Sequence, residues 1–137
     1  MQLSERMERL ASKVSEGNRL ADVGTDHGYI PIALVLRGKI PSAVAMDVNP
    51  GPLQRAQEHI RGQGLSTYID TRLSDGLAAL KAGEADTVLI AGMGGALTVR
   101  ILEGGGHCLG TVRELILQPQ SEIHLVRRWL GENGYRI

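Results

Sequence analysis

Five short apolar runs, each followed by a stretch with helical periodicity, constrain the fold of this chain more than any other feature. The runs are RLADVG at 19–24, SAVAMD at 42–47, TYIDTRL at 67–73, DTVLIAG at 86–92 and VRELILQ at 112–118. The helical stretches lie at 30–37, 53–61, 77–81, 97–103 and 123–130. Strands that alternate with helices pair in parallel through right-handed crossovers. The pattern therefore predicts an α/β fold, a doubly wound and mainly parallel sheet with helices on both faces.

One more helix precedes the first strand. Apolar residues recur at helical spacing from Leu3 to Val14, with Ser4 as a candidate N-cap, and they predict a helix over 3–16. The basic residues on its other face alternate with glutamates, which favours a solvated face over a phosphate contact: Arg6, Arg9 and Lys13.

Composition narrows the setting in which this chain works. Its 137 residues suit one compact domain, and 15 basic against 15 acidic residues leave no broad basic surface for nucleic acid. One cysteine, Cys108, excludes a disulfide framework, and no apolar run is long enough for a membrane span. The histidines have no partners at metal-ligand spacing. We expect a cytoplasmic protein with no membrane partner and no metal.

Acids and glycines follow the predicted strands, at the sheet edge where doubly wound folds bind ligands. Asp22, Gly24 and Gly28 belong to a turn that runs into a helix N-terminus, and Asp47 lies 19 residues beyond Gly28, near the ~20 expected of an acid that binds a ribose. After the third strand, Asp75 suits either the amino group of an adenine or the N-cap of the predicted 77–81 helix.

The first loop indicates which adenosine cofactor fits. A dinucleotide site needs G-x-G-x-x-G so that a pyrophosphate can rest on bare backbone, whereas Asp26 would repel that anion here. No phosphate-binding G-x-x-x-x-G-K-[ST] is present. S-adenosylmethionine fits better, with its adenosine at Asp47 and Asp75 and its cationic methionyl end at the glycine loop, in front of Asp22.

The motifs ADVGTDHGYIP, MDVNPGPL, SDGL, IAGMGG and LILQP resemble those of bacterial tRNA adenine-N1-methyltransferases of the TrmK family, over essentially the whole chain. The resemblance implies a class I S-adenosylmethionine-dependent enzyme that methylates an adenosine in the D-arm region of tRNA. It implies the sheet order 3-2-1-4-5 and a three-layer Rossmann-like sandwich. It assigns the cofactor to Asp22, Gly24, Asp47 and Asp75. To this candidate cofactor site we add Gly28, Val48, Gly76 and Gly92 from the same loops, and we expect His27, Tyr29, Met93, Gly94 and Gly95 to contact the substrate.

In that family the aspartate matched by Asp26 is proposed to act on the base. N1 of adenine has a free lone pair, and its methylation builds positive charge that the exocyclic amine shares. A carboxylate that accepts a hydrogen bond from the amine would stabilise that charge as it develops. The alternative is that Asp26 only caps the following helix. Tyr29 suits base stacking or packing, His27 a hydrogen-bonded loop role, and Met93 substrate contact or pocket filling.

The last residues, Gly134–Ile137, suggest the start of a sixth strand. We expect residues 1–137 to form a truncated cofactor-binding domain without its terminal hairpin, so that tRNA binding would need a missing C-terminal region. Two other functions stay open: a nicotinamide-dependent oxidoreductase, which Asp26 argues against, and a non-catalytic partner subunit, which would not need the pocket acids.

Overall fold

The computed structural model describes residues 2–137, which form five strands and five α-helices with one short 3-10 turn. In chain order they are α1 (Glu5–Lys13), β1 (Leu20–Val23), α2 (Tyr29–Leu36), β2 (Ala43–Asp47), α3 (Pro50–Gly62), β3 (Ile69–Leu73), β4 (Thr87–Gly94), α4 (Gly95–Glu103), the 3-10 turn (Leu109–Thr111), β5 (Glu114–Ser121) and α5 (Ile123–Glu132).

The strands form one parallel sheet in the order β3-β2-β1-β4-β5. In the register of the central strand, Leu20 lies opposite Ala43 on one side and Thr87 on the other. The predicted fold class and strand order are both confirmed. From β1 the chain adds β2 and β3 on one side of the sheet and then β4 and β5 on the other. The direction in which strands are added therefore reverses at β1, and sheets of this kind bind ligands at that point.

The sheet separates two hydrophobic cores, one on each face; β1, β2, β4 and β5 contribute to both, whereas β3 contributes only Ile69, to one of them. On β1, Leu20 packs toward α1, α2 and α3, whereas Ala21 packs toward α4 and the segment around Leu109. Side chains alternate along a strand, so a strand covered on both faces is apolar at every position. This explains why the runs in the sequence are continuous rather than alternating.

Helix α1 begins where its cap predicts but is shorter than the expected 3–16. The Ser4 side chain accepts a hydrogen bond from the backbone N–H of Met7, and the helix ends at Lys13 because Val14 is extended. Leu10 and Ala11 are buried in the core on the α2 side of the sheet. This packing holds α1 against the sheet beside the carboxyl end of β4.

The predicted helix over 77–81 is wrong, because this segment forms consecutive turns. The Ser74 hydroxyl accepts from the backbone N–H of Ala79 and donates to the carbonyl of Gly76, at 3.0 Å and 2.9 Å. A serine that bonds nearby backbone competes with helix formation, and a five-residue helix is too short to resist. Asp75 therefore caps no helix.

The suggested strand at 134–137 does not form either. The backbone N–H of Tyr135 bonds to the carbonyl of Leu130, and its ring stacks on Trp129 with centroids 5.8 Å apart. These contacts fold the segment back on α5 instead of extending it along the sheet. Among residues 2–137, no helix is both long and apolar enough to cross a membrane.

Candidate functional site

A cleft with two chambers opens at the carboxyl ends of the strands. The first chamber, about 300 Å³, lies between α1 and the ends of β1 and β4, and Arg6, Asp22, Tyr29 and Gly92 are among its walls. The second chamber, about 400 Å³, lies beside the ends of β2 and β3, with walls that include Asp47, Val48, Asp75, Gly76 and Arg100. Val23, Gly24, Asp26 and Met93 line both chambers. The two chambers are therefore neighbouring parts of one cleft.

Gly24 and Met93 form the partition between the chambers. Gly24 has a φ of 74°, and a Cβ atom built on it would lie 2.6 Å from Met93 Cε. Its backbone conformation favours glycine, and a Cβ here would displace the terminal methyl of Met93. The side chain of Met93 thus rests directly on the first loop, over the point where the chambers meet.

Asp22 presents a buried carboxyl to the first chamber. Only 6% of the residue is exposed, and its Oδ2 accepts a hydrogen bond of 2.9 Å from the Thr25 hydroxyl. Burial raises the pKa of this carboxyl to about 6; the Thr25 hydrogen bond opposes the rise, and the negative charge of Asp47 adds to it. Burial makes the charged form of this carboxyl costly, and a cationic ligand group placed beside it would offset that cost.

Asp47 ends β2 and faces the second chamber with its carboxylate fixed by backbone. Its Oδ2 accepts from the N–H of Asp26 at 3.3 Å, and its Oδ1 accepts from the N–H of Asn49 at 3.0 Å. A carboxylate oxygen has more than one lone pair, so both can still accept hydrogen bonds from a ligand. This arrangement suits a pair of neighbouring hydroxyls.

Asp26 does not cap helix α2, so the capping alternative is wrong. The N-cap is Gly28, which makes no side-chain cap bond, and the backbone of Asp26 is left-handed, with a φ of 55°. Its side chain is 62% exposed, with Oδ2 3.7 Å from His27 Nε2 and Oδ1 3.8 Å from Arg55 Nη2. The carboxylate is therefore exposed at the mouth that both chambers share, with His27 and Arg55 as its neighbours.

The remaining residues of the second chamber form an open pocket. Val48 is 57% exposed, and Asp75 is exposed as well. A Cβ on Gly76 would lie 3.2 Å from Ile101 Cγ1, so this turn packs closely on α4. An exposed apolar side chain and an exposed carboxylate at the same opening suit a flat ring that carries an amino group.

The glycines after β4 divide into two groups. Gly92 lies at an irregularity in the pairing of β4 with β5 and lines the first chamber. Gly94 and Gly95 line neither chamber; a Cβ on Gly94 would lie 3.1 Å from Ser121 Oγ, and one on Gly95 would collide with the carbonyl oxygens of Ser121 and Glu122. Packing accounts for these two glycines, and their contact with substrate stays a prediction.

His27 and Tyr29 lie together outside the partition. Their rings stack with centroids 5.0 Å apart, and His59 of α3 stacks on both. Tyr29 lines the first chamber, whereas His27 lines neither. Among residues 2–137, no group of three or more His, Cys, Asp or Glu side chains could hold a metal ion.

The family profile described as "Methyltransferase domain" matches residues 3–137. The chain belongs to this family. Among curated proteins, the tRNA (adenine(22)-N(1))-methyltransferase of Bacillus subtilis is 39% identical over all 137 residues, which cover 58% of that protein. This domain family accounts for the doubly wound sheet and for the cleft beside β1.

Solved structures of relatives share the same architecture. A Streptococcus agalactiae protein of the NADB-Rossmann superfamily is 40% identical, with a TM-score of 0.96 over 100% of this chain and 61% of that one. The M. capricolum TrmK, solved with the cofactor product S-adenosyl-homocysteine, is 32% identical, with a TM-score of 0.89 over 100% of this chain and 61% of that one. The methyltransferase domain described here thus spans about three fifths of the length of these relatives.

Sequence reasoning missed the wall that α1 and β5 give to the first chamber of this methyltransferase domain. Arg6 is exposed, as the solvated face predicts, but its Nη1 also donates to Gln118 Oε1 at 3.1 Å, and Gln120 lines the chamber beside it. A Cβ on Gly92 would lie 3.7 Å from Arg6 Nη2. No local signal marks these residues, because 112 positions separate Arg6 from Gln118.

Proposed function

We propose that residues 1–137 form the cofactor-binding and catalytic domain of an S-adenosylmethionine-dependent methyltransferase that acts on N1 of an adenosine in the D-arm region of tRNA. The observation that carries the proposal is the two-chambered cleft, with a buried acid on each side of the Gly24–Met93 partition. The activity of the Bacillus subtilis relative supports the substrate class, and the M. capricolum structure with S-adenosyl-homocysteine supports the cofactor. A tRNA substrate implies work in the cytoplasm.

The side chains present fit each part of the cofactor. Asp47 would accept both ribose hydroxyls, and Asp75 would accept the adenine amino group beside Val48. Asp22 would hold the methionyl ammonium in the first chamber, and its elevated pKa would fall once that cation is bound. Arg6 extends the predicted set, because its guanidinium at the far wall suits the carboxylate of the same amino acid.

The chain's own residues would then position and stabilise the reaction. When bound, S-adenosylmethionine supplies an electrophilic methyl group on a sulfonium. The N1 lone pair of the target adenine would bond to that carbon as the sulfur–methyl bond breaks and S-adenosylhomocysteine leaves, so no base is needed to remove a proton beforehand. Asp26, at the shared mouth, would accept a hydrogen bond from the exocyclic amine as positive charge spreads onto it. The partition at Gly24 and Met93 would help hold methyl donor and acceptor in line.

Calorimetric titration with S-adenosylmethionine and S-adenosylhomocysteine tests the cofactor site. We expect binding near the micromolar range, about −8 kcal/mol, and at least a ~10-fold loss in Asp47→Asn, because an amide cannot accept both hydroxyls as a carboxylate does. Asp70→Asn is the matched control, since Asp70 is an exposed acid on β3 that pairs with Arg72 outside the cleft. Absence of binding by the folded chain would refute the proposal, and a reduced-dinucleotide titration would then test the oxidoreductase alternative.

The role of Asp26 is tested separately, by mass spectrometry of 1-methyladenosine in tRNA after single turnover. Asp26→Asn keeps the size of the side chain but removes the negative charge. We expect the methylation rate to fall by roughly 100-fold, as when one preorganised stabilising group is lost, while cofactor affinity stays within a few-fold. An unchanged rate would exclude Asp26 from the chemistry.

A further inference from the structure

Three aromatic side chains form a compact cluster beside the mouth of the cleft. The ring centroid of His27 lies 5.0 Å from that of Tyr29 and 5.6 Å from that of His59, and the centroids of Tyr29 and His59 are 5.4 Å apart. The planes of each pair are tilted by only 11° to 23°. All three distances are similar, so the rings form a triangle rather than a column. Each residue is partly exposed, which leaves aromatic surface open to solvent.

The cluster is held in place from two elements. His59 Nδ1 lies 2.8 Å from the carbonyl oxygen of His27; since that oxygen only accepts, the proton is on the nitrogen, and the bond ties α3 to the first loop. His27 Nδ1 is buried with no hydrogen-bond partner among residues 2–137. Ring stacking, rather than polar contacts at that atom, therefore positions His27.

A cation and the candidate catalytic acid lie next to the cluster. Arg55 precedes His59 by one helical turn on α3, so both project from the same side of that helix. Its Nη2 is 3.8 Å from Asp26 Oδ1, and His27 Nε2 is 3.7 Å from Asp26 Oδ2. A strand of nucleic acid that reaches Asp26 would therefore meet flat rings and a guanidinium at the rim.

We propose that the cluster of His27, Tyr29 and His59 is a stacking platform for an unpaired base of the RNA substrate, adjacent to the nucleotide that is methylated, with Arg55 against its phosphate. The inference rests on the function proposed above and adds a second RNA contact to it. Proteins bind unpaired RNA bases by stacking them on aromatic rings, with arginine nearby for the backbone. The otherwise neutral chain thus gains a local contact at the cleft.

His59 is the residue with which to test the platform, because it lines neither chamber. His59→Leu and His59→Phe both remove the hydrogen bond to His27, but only the phenyl variant keeps a ring face. Each variant and the parent chain are titrated, with S-adenosylhomocysteine present, into a short single-stranded RNA that carries one 2-aminopurine, whose fluorescence is quenched by stacking. Calorimetry with S-adenosylmethionine is run on the same three samples.

We expect His59→Phe to bind this RNA within about twofold of the parent, and His59→Leu to bind it about 10-fold more weakly and with less quenching. Cofactor affinity should be equal in all three proteins. Equal RNA affinity of the leucine and phenylalanine variants would overturn the platform, as would absence of quenching by a parent chain that binds cofactor. Loss of cofactor binding in the parent itself would instead refute the proposed function, so the two failures are distinguishable.

Discussion

Replacing Asp22 with asparagine should stabilise the fold and abolish cofactor binding. The carboxyl has a pKa of about 6 in the folded chain, against an ordinary aspartate value of about 3.9. A difference of roughly two pKa units corresponds to about 3 kcal/mol that folding spends on desolvating the charged form. An amide of the same shape keeps an oxygen for the Thr25 hydroxyl and avoids that penalty.

The pH dependence has a definite sign. Because folding raises the pKa of Asp22, the folded state binds the proton more tightly, and the parent loses stability as pH rises from about 4 to about 6. At pH 8 we expect Asp22→Asn to unfold with a free energy about 1–3 kcal/mol larger, since burial of the amide itself offsets part of the gain. Near pH 4 the difference should vanish, because the parent carboxyl is then protonated.

Urea denaturation of both proteins at pH 8 and pH 4 measures this difference, and calorimetry at pH 8 measures S-adenosylmethionine binding. The parent should bind cofactor more weakly below pH 6, where the carboxyl loses its charge. A variant less stable than the parent at pH 8 would refute the reasoning, because the charge would then be favourable in the absence of ligand. Retained cofactor affinity in the variant would show that Asp22 does not hold the ammonium.

Three further predictions follow from local geometry and charge. Gly24→Ala and Gly38→Ala should each lower the free energy of unfolding by about 1 kcal/mol in urea denaturation, because both positions have a φ near 73°. Only Gly24→Ala should weaken cofactor binding, by at least ~10-fold in calorimetry, since its Cβ would displace the end of Met93 between the two chambers, whereas Gly38 faces open space. Glu84→Gln should lose about 1–3 kcal/mol at pH 7 and only a small fraction of that near pH 2. Hydrogen bonds from Arg72 lower the pKa of the Glu84 carboxyl from 4.5 to about 2, so its stabilisation is lost as pH falls through this range, which urea titrations at both pH values check. Arg55→Gln should reduce the slope of log affinity for single-stranded RNA against log salt by about 0.7, and an unchanged slope would exclude a phosphate contact.

The fold was predictable because a parallel strand covered on both faces is written in the sequence as a continuous apolar run. The run from Leu20 to Val23 is apolar apart from one acid, and that acid, Asp22, proved to face the cleft. Asp47 was found for the same reason, since a carboxylate directly after a buried strand lies at the ligand-binding edge. Both features are local: the apolar run identifies the strand, and the place of the acid in or directly after that run identifies the residue.

What sequence reasoning missed depends on geometry that no local pattern encodes. The residue type of Asp26 left open whether it caps helix α2; the structure has a left-handed backbone at Asp26 and Gly28 as the N-cap, which no sequence pattern reveals. The turns at 77–81 follow from hydrogen bonds of the Ser74 side chain that helix periodicity does not contain. The stacking of His59 on the first loop requires knowing that α3 packs beside α2, where Gly28 approaches Ala56.

The bond between Arg6 and Gln118 has a consequence for when the cleft can exist during synthesis. The ribosome releases α1 more than a hundred residues before β5, the fifth strand along the chain, so the two can pair only after most of the other strands have been synthesised. Until β5 docks, the first chamber lacks one wall, so cofactor cannot guide the early steps of folding. Afterwards a bound cofactor that contacts both α1 and β5 would slow the local separation of these two elements.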